Sequence, residues 1–122
     1  MREILFRGKR ICNGVMMFGS LFCCNDGDCY IVSDNFRHNH YCVDPSTVGQ
    51  YTGLTDKNGK RIFEGDVVRW VPIYGVQTDV VWFDEGGFCA GNNFLQAGLY
   101  SGEFEGEVIG NIHDNPELVK EE

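Results

Sequence analysis

Apolar residues along the chain recur in short blocks separated by glycine- and asparagine-rich breaks. Nowhere do they repeat at helical spacing over eleven residues. "REILFR" at residues 2–7 predicts a first strand, followed by a turn at Gly8-Lys9-Arg10. "ICNGVMMFGSLFCC" predicts a strand, a turn at Asn13-Gly14 and a long second strand. Asn-Gly is a strong two-residue hairpin signal because both residues tolerate positive φ. A further turn at Asp26-Gly27 leads into a strand over Cys29–Ser33, so the first third of the chain predicts a β-meander.

"DNFRHNHYC" is polar and predicts a loop. A proline-fixed turn at Asp44-Pro45-Ser46 precedes a short strand at Val48–Tyr51. Asn58-Gly59 predicts another turn, and Gly65 a sharp one with positive φ. "VVRWV" is β-branched and aromatic and predicts a strand that stops at Pro72. "GVQTDVVWF" and "GGFCA" predict a hairpin across Asp84–Gly87. Residues 91–102 fit either one helical turn or a loop, Glu107–Ile112 a last strand, and "HDNPEL" a turn or short 3-10 segment. Many short strands with glycine turns define an all-β chain, a small barrel or sandwich.

Composition supports this reading. The chain has 122 residues, 43% of them hydrophobic, which suits one domain with an ordinary core. A soft subdivision falls around residues 35–47, where the chain is polar and the charge balance changes, giving 1–47 and 48–122. Sixteen glycines against three prolines fit tight turns. No apolar run reaches the ~18 residues of a membrane span. The basic N-terminus is followed by no signal-peptide pattern. A soluble, cytoplasmic protein is expected.

The formal charge is −8. Residues 1–49 balance, with five Lys/Arg and five Asp/Glu, while residues 50–122 carry five against thirteen. From Asp79 onward one base, Lys120, faces ten acids. Nucleic-acid affinity comes chiefly from bases that neutralise phosphates, which argues against non-specific nucleic-acid binding. A basic patch of Arg2, Arg7, Lys9 and Arg10 is the local exception, and Arg7, Lys9 and Arg10 are the candidate phosphate contacts. The plainer reading of the same charges is a solvated edge strand that they blunt against unwanted pairing.

Candidate chemistry is sparse. With no secretion signal, the six cysteines are expected as free thiols. Cys24, Cys29, His38 and Cys42 are the alternative, a zinc ligand set: Cys24 and Cys29 span a hairpin tip, and the histidine and Cys42 lie at strand spacing. Cys23 and Cys24 would point to opposite faces of a strand, which counts against that site. His113-Asp114 could pair a base with a carboxylate, but no nucleophile is placed for it by sequence. No enzyme is expected, and no cofactor. Small barrels bind through aromatics beside turns. Tyr51, Trp70 and Tyr74 are the candidates here, with Asp66 beside them, although Asp66 after Gly65 also suits a side chain that ties down its own turn.

Three blocks carry a resemblance: "MREILFRGKR" at the start, "VDPSTVGQYTGLTDKNGKRIFEGDVV" at residues 43–68, and "EVIGNIHDNPEL" at residues 107–118. In this order they strongly resemble the YopX family of small bacteriophage and prophage proteins. The resemblance implies an SH3-like β-barrel for residues 48–122, with the meander as an N-terminal extension. It also implies homo-oligomers in a bacterial host cell, and it carries over no catalytic residue. The function expected on these grounds is a non-catalytic, oligomeric binding module whose partner is a host or phage protein. The alternatives are a nucleic-acid-associated factor or acidic DNA mimic, and a zinc protein built on the 23–42 cluster.

Overall fold

In a computed structural model, residues 4–32, 39–71, 75–84, 87–91, 93–95 and 104–119 are described. The chain divides into two compact units, Met1–Tyr51 and Thr52–Glu122, with the division inside one strand. The strands pair into two antiparallel sheets, and among the described residues they do not close into a barrel. No helix among those residues is long and apolar enough to cross a membrane.

The first unit is a meander of β1 (Phe6–Lys9), β2 (Met16–Cys23), β3 (Cys29–Val32) and β4 (His40–Val43). The start of β5 (Gly49–Thr55) pairs with the free side of β1, through Phe6 opposite Gln50 and Arg7 opposite Gly49. The meander curls until the end of β4 meets the end of β1, at a bridge between Arg10 and Val43. The Ile11 N–H donates to the Cys42 carbonyl over 3.1 Å, and the Asp44 N–H to the Lys9 carbonyl over 2.9 Å. The inner face buries Cys29, Ile31 and Val43, with Phe6, Met17, Leu21 and Val48 packed against them.

Three sequence expectations change here. Gly8 and Lys9 belong to strand β1, and the turn falls at residues 11–13. Gly8 serves close approach: a Cβ there would lie 2.9 Å from Val43 Cγ2. His40–Val43 is a strand, not loop, because β3 supplies a full ladder for it, Cys29 opposite Val43 through Val32 opposite His40. Cys23 and Cys29, opposite one another on β2 and β3 with Cα atoms 4.1 Å apart, form a disulfide. The free-thiol expectation therefore fails for this pair, because the hairpin register holds the two sulfurs together.

Gly19 serves close approach of β3, and a Cβ there would overlap the Val32 carbonyl oxygen. Backbone cannot swing aside as a side-chain tip can. Gly19→Ala is expected to cost the first unit about 2–3 kcal/mol, the upper range for overpacking. Urea unfolding followed by tyrosine and tryptophan fluorescence would measure it.

In the second unit the rest of β5 pairs with β6 (Arg61–Phe63). A five-stranded sheet follows, in the order β10-β9-β8-β7-β11. Its members are β7 (Asp66–Trp70), β8 (Gln77–Asp84), β9 (Gly87–Ala90), β10 (Asn93–Phe94) and β11 (Gly106–Asn111). The strand at Asn93–Phe94 falls where the sequence left helical turn and loop open; residues 96–103 lie outside the described residues. Ile62, Val68, Trp70, Val81, Ala90 and Phe104 form the core, with Leu54, Leu95 and Val108 against it.

The two loops inside "DKNGKRIFEGD" pin this unit. At the Asn58-Gly59 turn, Gly59 has φ of 82°. Asp56 is buried, and its Oδ1 accepts from the N–H groups of Asn58 and Lys60, each over 2.9 Å. Its Oδ2 accepts from the Val108 N–H of β11, also over 2.9 Å, while the Lys57 N–H donates to the Gly106 carbonyl. A side chain and a turn thus take hydrogen bonds along the outer edge of β11 that another strand would otherwise make. At the second turn Gly65, with φ of 94°, donates to the Val81 carbonyl and accepts from the Ile112 N–H.

Candidate binding surface

Strand β2 reads "MMFGSLFC", and both of its faces carry apolar side chains. Alternation sends Met17, Gly19, Leu21 and Cys23 one way and Met16, Phe18, Ser20 and Phe22 the other. The first set faces the core of the first unit. The second set lies on the outer face, where Phe18 is 49% and Phe22 57% exposed. The register sets Phe18 opposite Arg7, Ser20 opposite Val32, and Phe22 opposite Tyr30. The Phe22 and Tyr30 rings lie 6.4 Å apart, tilted by 35°. Across β3, Tyr30 stands opposite Cys42 and Val32 opposite His40. β2 is paired on both sides, so its phenylalanines are held by a regular ladder and not by a loop.

Charge shapes this face locally. Repulsion of a phenolate by the Cys42 side chain, then by Asp28, together with burial, Cys24 and Asp26, raises the Tyr30 pKa above the ordinary value. Tyr30 therefore stays a neutral phenol, able to donate a hydrogen bond beside the exposed Phe22 ring.

The sequence-predicted binding residues sit elsewhere. Trp70 is only 9% exposed; its ring packs on Phe104 at 4.9 Å and its Nε1–H donates to Asp79 Oδ2 over 2.8 Å. Tyr51 is buried, and its N–H donates to the Leu5 carbonyl. Asp66 is buried too, with Oδ2 accepting from the Phe63 N–H over 2.7 Å, so it holds the Gly65 turn. Tyr74 lies outside the described residues. Tyr51, Trp70 and Asp66 are interior positions.

Of the candidate phosphate contacts, Arg7 is buried, while Lys9 and Arg10 are half-buried. The Arg10 guanidinium stacks 4.7 Å over the Tyr41 ring, a cation–π contact across the strands it bridges. The three do not form an exposed basic face. Of the candidate zinc ligands, Cys29 is bonded to Cys23, Cys24 and Cys42 are half-buried, and His38 lies outside the described residues. Among the described residues no three His, Cys, Asp or Glu side chains converge as a metal site would require. His113 and Asp114 belong to a turn in which both N–H groups donate to Asn111 Oδ1, over 3.0 and 2.9 Å.

Sequence reasoning passed over Phe18 and Phe22. The available signal was an apolar residue at every position but two of a strand otherwise destined to cover a single core.

Short antiparallel strands in two sheets define a mainly-β protein, and one strand of it carries exposed aromatic side chains. The family model described as "YopX protein" matches residues 5–120, and the chain belongs to the YopX family. Its fold is similar to the crystal structure of protein EF1440 from Enterococcus faecalis. The TM-score is 0.64 at 24% sequence identity, covering 98% of this chain and 100% of that one. No curated protein sequence gives a significant match.

Proposed function

We propose that this is a phage- or prophage-derived, non-catalytic binding module that assembles as a homo-oligomer in the bacterial cytoplasm. In this reading a second copy of the chain covers the outer face of β2 and β3, and the assembly then engages a host or phage protein. One observation carries it: Phe18 and Phe22 stand exposed on one face of a strand whose other face already fills a core. Aromatic anchors on a rigid element are what interfaces are built around. Short strands, glycine turns and a sharply pinned β6–β7 connection also support the SH3-like description of residues 48–122 as an open variant of that barrel.

The test is native mass spectrometry of the wild type and of Phe18→Ala/Phe22→Ala. The wild type is expected as a discrete oligomer and the double variant as a folded protein at least tenfold weaker in self-association. A wild-type monomer, or an unchanged assembly in the variant, would overturn the reading. The acidic-mimic alternative rests on the ten acids from Asp79 onward. It predicts salt-sensitive capture of a basic host protein with Phe18 and Phe22 irrelevant.

A further inference from the structure

The Cys23–Cys29 bond has the features of a reversible lock and lacks those of a staple. Disulfide stabilisation grows with the length of chain the bond closes, and here the cysteines are only six positions apart. The chain between them is already closed without the sulfurs. The Cys24 N–H donates to the Asp28 carbonyl over 2.8 Å, the Gly27 N–H to the Cys24 carbonyl over 3.0 Å, and Asp26 Oδ1 accepts from the Asp28 N–H over 3.0 Å. Beyond the cysteines the ladder continues through Phe22 opposite Tyr30, Leu21 opposite Ile31 and Ser20 opposite Val32.

The two sulfurs also differ in environment. Cys23 is on an exposed residue at the end of β2, open to an attacking thiolate. Cys29 is buried against Ile31 and Val43. Once released as a thiol, Cys29 can remain there as a small apolar group. Its S–H has an acceptor in place, since the Gly27 carbonyl lies 3.8 Å from the sulfur. Both redox states are therefore satisfied by the same backbone.

We propose that Cys23–Cys29 is a redox-cleavable lock on the β2–β3 hairpin, operated by thiol–disulfide exchange with a small-molecule monothiol. In the opening direction a thiolate attacks Cys23 Sγ. A mixed disulfide forms at Cys23, the Cys23–Cys29 bond breaks, and Cys29 leaves as a thiolate that takes up a proton. A second thiolate attacks the small-molecule sulfur of the mixed disulfide and releases Cys23. Two monothiols are oxidised to one small-molecule disulfide, and one protein disulfide is reduced to two thiols. Closing is the reverse, with the small-molecule disulfide as oxidant.

The experiment uses the full chain in glutathione buffers of graded ratio. Each sample is acid-quenched and alkylated under denaturing conditions, and the labelled cysteines are mapped by mass spectrometry. At the oxidised end Cys23 and Cys29 are expected unlabelled and joined to one another, and at the reduced end both are expected labelled. Hydrogen exchange on the reduced form should show faster exchange at residues 22–30 and unchanged protection across the rest of the first unit. Cys23→Ser/Cys29→Ser should fold with the reduced form's exchange pattern and ignore the glutathione ratio. Three results would overturn the proposal: no Cys23–Cys29 linkage in glutathione disulfide, a bond that stays closed in excess glutathione, or loss of the whole unit's protection in the reduced form or the double serine variant.

Discussion

Asp56→Ala is expected to destabilise the second unit by about 3 kcal/mol, because three backbone N–H groups lose a charged acceptor at once. The donors are Asn58, Lys60 and Val108. The first two hold the turn, and the third ties that turn to a strand 52 positions away. Asp56→Asn is expected to be only partly milder. One amide oxygen can still serve Asn58 and Lys60, but the amide NH2 then faces the Val108 N–H, donor against donor. Chemical denaturation of the three proteins would rank wild type above Asn above Ala. Equal stabilities would show that the turn closes on its backbone bonds alone.

The same carboxylate predicts a pH dependence. Burial pushes the Asp56 carboxyl up, but the opposing N–H groups of Val108, Lys60 and Asn58, helped by the charge of Lys60, outweigh it and hold the pKa below the ordinary value. The folded protein therefore binds this proton less readily than the unfolded chain. The stabilisation is complete above the unfolded carboxyl pKa of about 4, and it fades as the pH falls through the lower folded value. The difference between wild type and Asp56→Asn should be flat through neutral pH and shrink below about pH 4. A difference that instead grew on acidification would reverse the sign of the argument.

Legibility in the sequence followed the range of the interaction. Local chemistry was readable: Gly59 and Gly65 both take the positive φ that their context demanded, and Asp66 holds its own turn across three residues. The alternating strands and the meander were readable for the same reason, since period two is a local property. Long-range partners were not. Nothing near Asp56 in the chain announces Val108. β4 is short and follows a polar stretch, and it is a strand because β3 offers it a ladder. The disulfide was not readable: the cysteines were expected as free thiols, with Cys24 and Cys29 weighed only as zinc ligands, whereas a tip running from Cys24 to Asp28 sets Cys23 opposite Cys29. The outer aromatic face was the hardest feature, because a strand apolar on both sides reads as buried on both sides. Only the folded structure shows that Phe18 and Phe22, on one side of that strand, are exposed.

Trp70→Ala should be the most damaging single truncation in the second unit, costing about 4 kcal/mol, the middle of the range for removing a buried large aromatic. Two losses combine. The ring leaves a cavity against Phe104, Ile62 and Val81, and Asp79 loses the indole donor that now reaches it over 2.8 Å. The neighbourhood cannot relax easily around that carboxylate. Gly91, at φ of 60°, lies so close that a Cβ there would meet Asp79 Oδ1 at 2.7 Å. Trp70→Phe separates the two losses, since it keeps most of the apolar volume and removes only the N–H. It is expected to cost about 1.5–3 kcal/mol, the range for a hydrogen bond to a charged group. Thermal unfolding would give the stabilities, and native mass spectrometry the assembly. A core role predicts that Trp70→Phe loses stability and keeps its oligomer, whereas Phe18→Ala/Phe22→Ala keeps stability and loses its oligomer. If Trp70→Phe instead left stability untouched and weakened assembly, Trp70 would belong to a binding surface after all, and the division drawn here between core aromatics and presented ones would have to be redrawn.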